Sequence, residues 1–190
     1  MPVAYRPRRF SVQEYHAMGT AGVLSPDERV ELLDGEILTM PPIGPRHIGG
    51  VNRLMYVLYA AFGSRVVVQG QNPVRLDDWS EPEPDIALLR PRDDFYASRH
   101  ARPADALALI EVAGTSMPLD RGRKLRAYAR HGVAEYWIVD LAGDRVLVHR
   151  KPSATGYAVE FSASRGETLA FEAFPDDALP VDDLLPTPTL

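Results

Sequence analysis

The chain has 190 residues, of which 45% are hydrophobic and 25% charged, and it contains no cysteine. These values suit a single globular domain spanning residues 1–190, with a core expected at about residues 10–175. The lack of cysteine excludes disulfides and thiolate metal sites, and the formal net charge of -5 argues against a general nucleic-acid binder.

The two ends of the chain differ in composition from the rest. The first residues are rich in proline and arginine and the last in proline and aspartate, so we expect a flexible N-terminal segment and a C-terminal tail outside the core. No apolar run approaches the roughly 20 residues of a membrane span, and no signal peptide precedes the first predicted strand. We therefore expect a soluble, cytoplasmic protein without a membrane partner.

The N-terminal third predicts a helix, a hairpin and a longer helix. Ser11 followed by Glu14 is a capping-box pattern, which indicates the start of a short first helix. The stretch "RVELLDGEILTM" predicts two strands joined at Asp34-Gly35, a favoured two-residue hairpin turn. From Arg46 to Phe62, apolar residues recur at helical spacing and predict a long amphipathic helix.

Several strands are predicted next. "RVVVQGQNPVRL" predicts a strand, a bend and a second strand, with Gln69 and Gln71 on one face by the two-residue period. Residues 85–90 predict another strand. Residues 105–113 are almost continuously apolar, which is typical of a central strand covered on both faces.

The C-terminal half predicts one helix and a further set of strands. Ser116 and Pro118 provide a cap and first turn for a helix that runs to Arg130. "AEYWIVDL" and "DRVLVHRK" predict paired strands, and weaker strand patterns follow. The fold class is therefore α/β (mixed α+β), with one central mixed sheet flanked by helices and an N-terminal hairpin.

A sparse set of charged residues suggests a catalytic site. Asp85 stands at the start of one strand, Glu111 lies inside the apolar central strand, and Lys124 follows in the next helix. Two carboxylates can hold one hard divalent cation such as Mg²⁺, whose shell is completed by water and a substrate phosphate. Such a cation stabilises charge on the phosphate, and a nearby ammonium group can orient or deprotonate the nucleophile. This set is suited to metal-assisted phosphodiester hydrolysis.

The order of these residues resembles the PD-(D/E)xK nuclease superfamily, and more closely its Uma2 branch of bacterial endonucleases, once a domain of unknown function. The resemblance covers about residues 30–150. It rests on four short motifs in order: "ELLDGEI", "SEPEPDI", "LIEVAGTS" and "DRGRKLRAYARHGVAEYWIVDL". Each motif alone is weak, but their order and spacing together are fairly specific.

The resemblance implies a restriction-endonuclease-like core and a Mg²⁺- or Mn²⁺-dependent endonuclease acting on DNA. Asp85 and Glu111 would bind the metal and, with Lys124, form the catalytic set. The superfamily lysine should stand two residues after the acid, where this chain has Ala113. In the Uma2 branch its role passes to the following helix, here to Lys124. The accessory residues implied by the same resemblance are Glu31, His47, Gln69 and Asp120.

Each of these residues also has a purely structural explanation. Asp85 could end a loop and accept backbone hydrogen bonds, and Glu111 could pair with a buried arginine. Lys124 could pair with Asp120, four residues earlier on the helix. His47 could be a surface histidine at a helix start. Glu31 fits an exposed hairpin position, and Gln69 could satisfy backbone groups at a strand end.

Partners are indicated only by local charge. Arg121, Arg123 and Arg126 on the predicted helix could contact phosphates without reading sequence, and cutting of a duplex would favour a homodimer. A solvated helical face explains these arginines equally well. Two other functions stay open: a catalytically silent nuclease-fold module for binding or assembly, and a metal-dependent hydrolase of a phosphorylated small molecule.

Overall fold

The computed structural model describes residues 7–187, so the predicted flexible N-terminal segment lies largely outside the described residues. Within 7–187, no helix is both long and apolar enough to cross a membrane. The helices are α1 (Val12–Thr20), α2 (Pro45–Phe62), α3 (Met117–Leu119), α4 (Leu125–Arg130) and α5 (Val181–Leu184). The strands are β1 (Val30–Leu33), β2 (Glu36–Thr39), β3 (Val67–Gly70), β4 (Ile86–Leu89), β5 (Ala106–Ala113), β6 (Glu135–Asp140), β7 (Arg145–Pro152), β8 (Tyr157–Ser164), β9 (Thr168–Leu169) and β10 (Leu179–Pro180).

The N-terminal elements form where local sequence predicted them. Ser11 caps α1, and the reciprocal bonds of a capping box join it to Glu14. β1 and β2 form an antiparallel hairpin. Asp34 and Gly35 both adopt positive φ in its turn, at 53° and 76°, which a two-residue hairpin turn of this type requires. The predicted N-terminal hairpin is therefore confirmed.

The central sheet has six strands in the order β3-β4-β5-β6-β7-β8. Only the pairing of β5 with β6 is parallel, and the helical segment between them makes the crossover that a parallel pair needs. The other neighbouring strands of this sheet pair antiparallel. The predicted mixed α+β class, with a central mixed sheet flanked by helices, is confirmed.

Each face of the sheet is covered by different elements. α2 packs Val51, Leu54 and Leu58 against the face that includes Ile110 and Val112 of β5. α4 covers the opposite face, where Leu109 and Ala113 of the same strand lie. Since side chains alternate along a strand, Glu111 falls on the α4 face between Leu109 and Ala113. An acidic side chain is thus buried under a helix.

Two parts of the fold differ from the sequence prediction. After the bend at Asn72-Pro73, the chain forms only an isolated bridge between Val74 and Ala101 instead of a second strand. The core also extends beyond the expected limit at about residue 175. The last described elements bury Leu179, Val181, Leu184 and Leu185 against the α2 face, because these apolar residues recur within the Pro/Asp-rich tail.

Candidate active site

A cavity of about 460 Å³ opens where the hairpin, the start of α2, the entry to β4 and the end of β5 meet. The helical run after β5 closes its remaining side. Its lining is unusually rich in ionisable side chains: Arg29, Glu31, Arg46, His47, Glu83, Asp85, Glu111, Asp120 and Lys124. The structure therefore brings together Asp85, Glu111 and Lys124 with three of the four accessory residues.

Asp85 is held at the entry to β4 by hydrogen bonds to both carboxylate oxygens. The backbone N–H of Val112 donates to Oδ2 at 2.8 Å, and His47 Nε2 lies 2.9 Å from Oδ1. Gln71 makes a longer contact of 3.4 Å with Oδ1. Burial alone would raise the pKa of Asp85, but the bonds and charge of His47 and the bond from Val112 outweigh it and lower this pKa below its ordinary value. Asp85 is thus kept ionised.

Glu111 is buried on the α4 face and accepts two hydrogen bonds on the same oxygen. Lys124 Nζ and the Tyr128 hydroxyl each donate to Glu111 Oε1 at 3.0 Å. The other oxygen, Oε2, lies 3.4 Å from the backbone nitrogen of Asp85. Burial, together with the negative charges around it, holds the pKa of Glu111 well above its usual range despite the attraction of Lys124. Glu111 therefore binds a proton more readily than an exposed glutamate does.

Lys124 reaches Glu111 from a distorted segment of helix. Asp120–Lys124 forms a π-helical turn between α3 and α4, in which the Leu125 N–H bonds to the carbonyl of Asp120 five residues earlier. Such turns often occur at functional sites because they re-aim the side chains that they carry. Lys124 Nζ also lies 3.1 Å from Glu31 Oε2. One buried ammonium group therefore joins the hairpin to the central strand.

Glu31 and Asp120 each bury an oxygen for which the described residues offer no hydrogen-bond partner: Glu31 Oε1 and Asp120 Oδ2. Glu31 is fully buried in β1, whereas an exposed hairpin position was one of the expectations. Burial raises the pKa of Asp120 to about 6, although Lys124 and a hydrogen bond with Ser116 oppose this shift. An unpartnered carboxylate oxygen is costly to bury, so each is open to a ligand.

The donor set of the cavity suits a hard divalent cation. Four buried carboxylates, those of Glu31, Asp85, Glu111 and Asp120, face one buried lysine. Oxygen donors of this kind are the ligands that Mg²⁺ and Mn²⁺ prefer. A bound cation would also lower the pKa of Glu111 and Asp120, which burial raises first and the neighbouring carboxylates raise further. The residues present therefore fit such a metal.

The structure separates the predicted glutamine from the site. Gln69 does not line the cavity, and its Oε1 is buried without a described partner. Gln71 occupies the cavity instead, because its positive φ of 50° breaks the strand and turns the chain towards Asp85. His47, in the first turn of α2, lines the cavity, and its pKa is raised mainly by its hydrogen bond with Asp85.

None of the three predicted phosphate-binding arginines lines the cavity. Arg123 forms an ion pair with Glu36 of the hairpin at 2.8 Å. Arg121 and Arg126 are exposed on the helical segment, and neither forms a described ion pair within residues 7–187. Two other arginines, Arg29 and Arg46, stand in the cavity wall.

Sequence reasoning missed several residues in or beside the cavity. Tyr128, which lies behind the lining and donates to Glu111, follows Lys124 by four residues, and this helical spacing could have indicated it. Glu83 lies two residues before Asp85 within "SEPEPDI", and burial raises its pKa too. Arg29 and Arg46 flank predicted elements, and no spacing rule in the sequence distinguishes them from other arginines.

Comparisons with known proteins agree on one kind of fold. A family model described as "Uma2: Putative restriction endonuclease" matches residues 12–182. Among solved structures, the chain is similar to a protein from Anabaena variabilis described as "a putative nuclease belonging to DUF820". The TM-score is 0.71 at 14% sequence identity, covering 92% of this chain and 97% of that one. A comparison with curated proteins gives no match.

Proposed function

Since the chain belongs to the Uma2 family, we propose that it is a Mg²⁺- or Mn²⁺-dependent endonuclease that hydrolyses phosphodiester bonds of DNA. The observation that carries this proposal is the contact of Asp85, Glu111 and Lys124 within one cavity, beside the unpartnered oxygens of Glu31 and Asp120. A neutral binding pocket would have no need to bury so many acidic groups.

Asp85 and Glu111 would hold the metal, since Glu111 Oε2 lies 3.4 Å from the backbone nitrogen of Asp85 and both residues line the cavity. The bound cation would stabilise negative charge on the phosphate and favour ionisation of water at neutral pH. Glu31 and Asp120 are accessory donors. His47 positions Asp85 and keeps its carboxylate ionised, and Tyr128 restrains one oxygen of Glu111.

Lys124 acts as a fixed positive charge rather than as a base. Burial would lower the pKa of Lys124, but the charges of Glu111, Glu31 and Asp120 raise it above its ordinary value, so the ammonium group keeps its protons. A protonated lysine can donate a hydrogen bond to the attacking water or to a phosphate oxygen. From the π-helical turn before α4, Lys124 would supply the amine that Ala113 lacks.

The DNA backbone would be bound by arginines around the opening of the cavity. Arg29 and Arg46 are nearest to the acidic groups, while Arg121, Arg123 and Arg126 extend a positive surface along the helix. Contacts of this kind hold phosphates without reading bases, and they make binding sensitive to salt. A homodimer would supply the second active site needed to cut both strands of a duplex.

The test is a plasmid-nicking assay with Mg²⁺ or Mn²⁺ on the wild type and on Lys124→Met. Nicking by the wild type that stops in EDTA and falls sharply in the variant supports the proposal. Metal binding without nicking of DNA or RNA would favour the hydrolase of a phosphorylated small molecule. A wild type that neither binds metal nor nicks would favour the silent binding or assembly module.

A further inference from the structure

A second cluster of metal-ligating side chains lies outside the acidic cavity. His16 of α1, Glu81 and His100 each place one ligand atom within 4.8 Å of the other two. His16 Nε2 lies 2.5 Å from Glu81 Oε1, and the rings of His16 and His100 are 5.9 Å apart. None of the three lines the cavity around Asp85. The cluster is therefore a separate site.

The buried carboxylate of Glu81 points to a ligand at this cluster. Glu81 is 2% exposed, and its Oε2 atom is buried with no hydrogen-bond partner among residues 7–187. A buried carboxylate oxygen without a partner is costly, and a cation or an ordered donor is the usual remedy. The two imidazoles beside it are exposed, so an ion could enter from solvent.

The backbone around all three residues is fixed. The Glu81 N–H donates to the carbonyl of Leu32 in the hairpin at 2.8 Å, which fixes the backbone position from which the carboxylate extends. Next to His100, Ala101 is buried and bridges Val74. α1 is tied down at its start, where the Val12 N–H bonds to the carbonyl of Asp78. Three chain segments thus present their ligands from rigid positions, as a metal site requires.

We propose that His16, Glu81 and His100 bind one transition-metal ion of intermediate hardness. Zn²⁺ fits this set of ligands best. Two neutral imidazoles and one carboxylate, with water in the fourth position, form a tetrahedral set typical of zinc. The carboxylate-rich cavity around Asp85 would instead select a harder cation. This proposal does not depend on the nuclease assignment.

The ion would stabilise the segment that leads into the acidic cavity. Glu81 is joined to Asp85 by Pro82-Glu83-Pro84, a short and conformationally restricted stretch. Binding would clamp α1 and the loop at His100 onto this stretch. Because a site of this kind binds only the folded chain, occupancy adds to the free energy of unfolding.

Chelator-stripped full-length protein, dialysed against Zn²⁺ and analysed for bound metal, tests the proposal. We expect His16→Ala and His100→Ala to bind one equivalent fewer than the wild type, or to bind it at least about tenfold more weakly. Zn²⁺ should raise the thermal unfolding midpoint of the wild type but not of these variants. Both histidines are exposed, so the alanine variants lose little packing and should fold without metal.

Two controls separate this site from others. His131→Ala removes a histidine that contacts Asp77 outside the cluster, and it should bind zinc like the wild type. Glu111→Gln removes one carboxylate of the acidic cavity and should also retain this equivalent of zinc. Unchanged zinc binding in both His16→Ala and His100→Ala, or loss of the equivalent in Glu111→Gln, would overturn the proposal. Failure of the nuclease assay would leave this result unaffected.

Discussion

Lys124 Nζ lies 3.0 Å from Glu111 Oε1, although the two residues belong to different elements and are 13 positions apart. Asp120, four residues before Lys124, forms no ion pair with it within residues 7–187. The intervening π-helical turn alters the ordinary i,i+4 relationship of a helix and points the lysine at the sheet. Among the described residues, Lys124 therefore pairs with Glu31 and Glu111 in place of the helical ion pair with Asp120.

Removing the Lys124 charge should damage both catalysis and folding. Lys124→Met leaves Glu31 and Glu111 buried without a counter-charge, so the free energy of unfolding at pH 8 should fall by about 3 kcal/mol without metal. Nicking should fall by about 100-fold or more. Urea unfolding and plasmid nicking measure the two effects. Lys151→Met, the same change at the exposed second lysine, should alter neither.

Asp120 should make the stability of the metal-free protein depend on pH. A raised pKa of about 6 means that the folded state holds this proton more tightly than the unfolded state does. The resulting stabilisation is complete below about pH 4 and is lost as the pH rises through about 6. Asp120→Asn lacks this effect. Between pH 4 and pH 8, its free energy of unfolding should therefore rise by about 2–3 kcal/mol relative to that of the wild type.

Urea unfolding in EDTA across this pH range tests the Asp120 effect. Asp176→Asn, at an exposed aspartate, serves as the matched control and should follow the wild type. A constant difference in unfolding free energy between Asp120→Asn and the wild type would show that the side chain is not titrating near pH 6.

His47 should set the acid limit of activity. Its hydrogen bond and charge lower the pKa of Asp85 against the effect of burial. In His47→Gln the charge is lost, so the pKa of Asp85 rises and a higher pH is needed to ionise this metal ligand. The acid limb of kcat/KM against pH should therefore move to higher pH. An unchanged limb, with lower activity at every pH, would assign His47 another role.

The arginine variants should differ in how strongly their DNA binding depends on salt concentration. Each phosphate contact contributes about 0.9 to the slope of log K against log salt concentration. Arg29→Ala, Arg121→Ala and Arg126→Ala should each reduce the slope by about that amount. Arg90→Ala, beyond the opposite end of β4 from Asp85, should not. Equal slopes for all four variants in a fluorescence-anisotropy titration would place the DNA on another surface.

Local sequence patterns predicted most of the fold. The capping box at Ser11, the turn at Asp34-Gly35 and the apolar run of β5 each depend on neighbours in the chain, and each is confirmed. The burial of Leu184 could not be predicted, because it depends on α2, more than 100 residues away in the sequence. Composition alone suggested an exposed tail there.

The site was predictable in its residue types but not in its detailed contacts. The carboxylates and the lysine stand out because charged residues are rare in apolar segments. The two-residue period of a strand predicted that Gln69 and Gln71 share one face. This prediction is wrong because the positive φ of Gln71 ends the strand. The same rule also indicated exposure for Glu31, whose burial depends on Lys124, a distant partner. The π-helical turn has no simple sequence signature.

The proposed cleavage of DNA depends on a metal ion held by Asp85 and Glu111. The most direct measurement is isothermal titration of Mn²⁺ into the wild type and Glu111→Gln, with plasmid nicking assayed on the same samples. Glu172→Gln, at an exposed glutamate, is the matched control. We predict that the wild type and the control bind Mn²⁺ at the cavity and nick DNA, while Glu111→Gln is folded but does neither. Full Mn²⁺ binding and nicking by folded Glu111→Gln would show that Glu111 neither holds the metal nor is needed for cleavage.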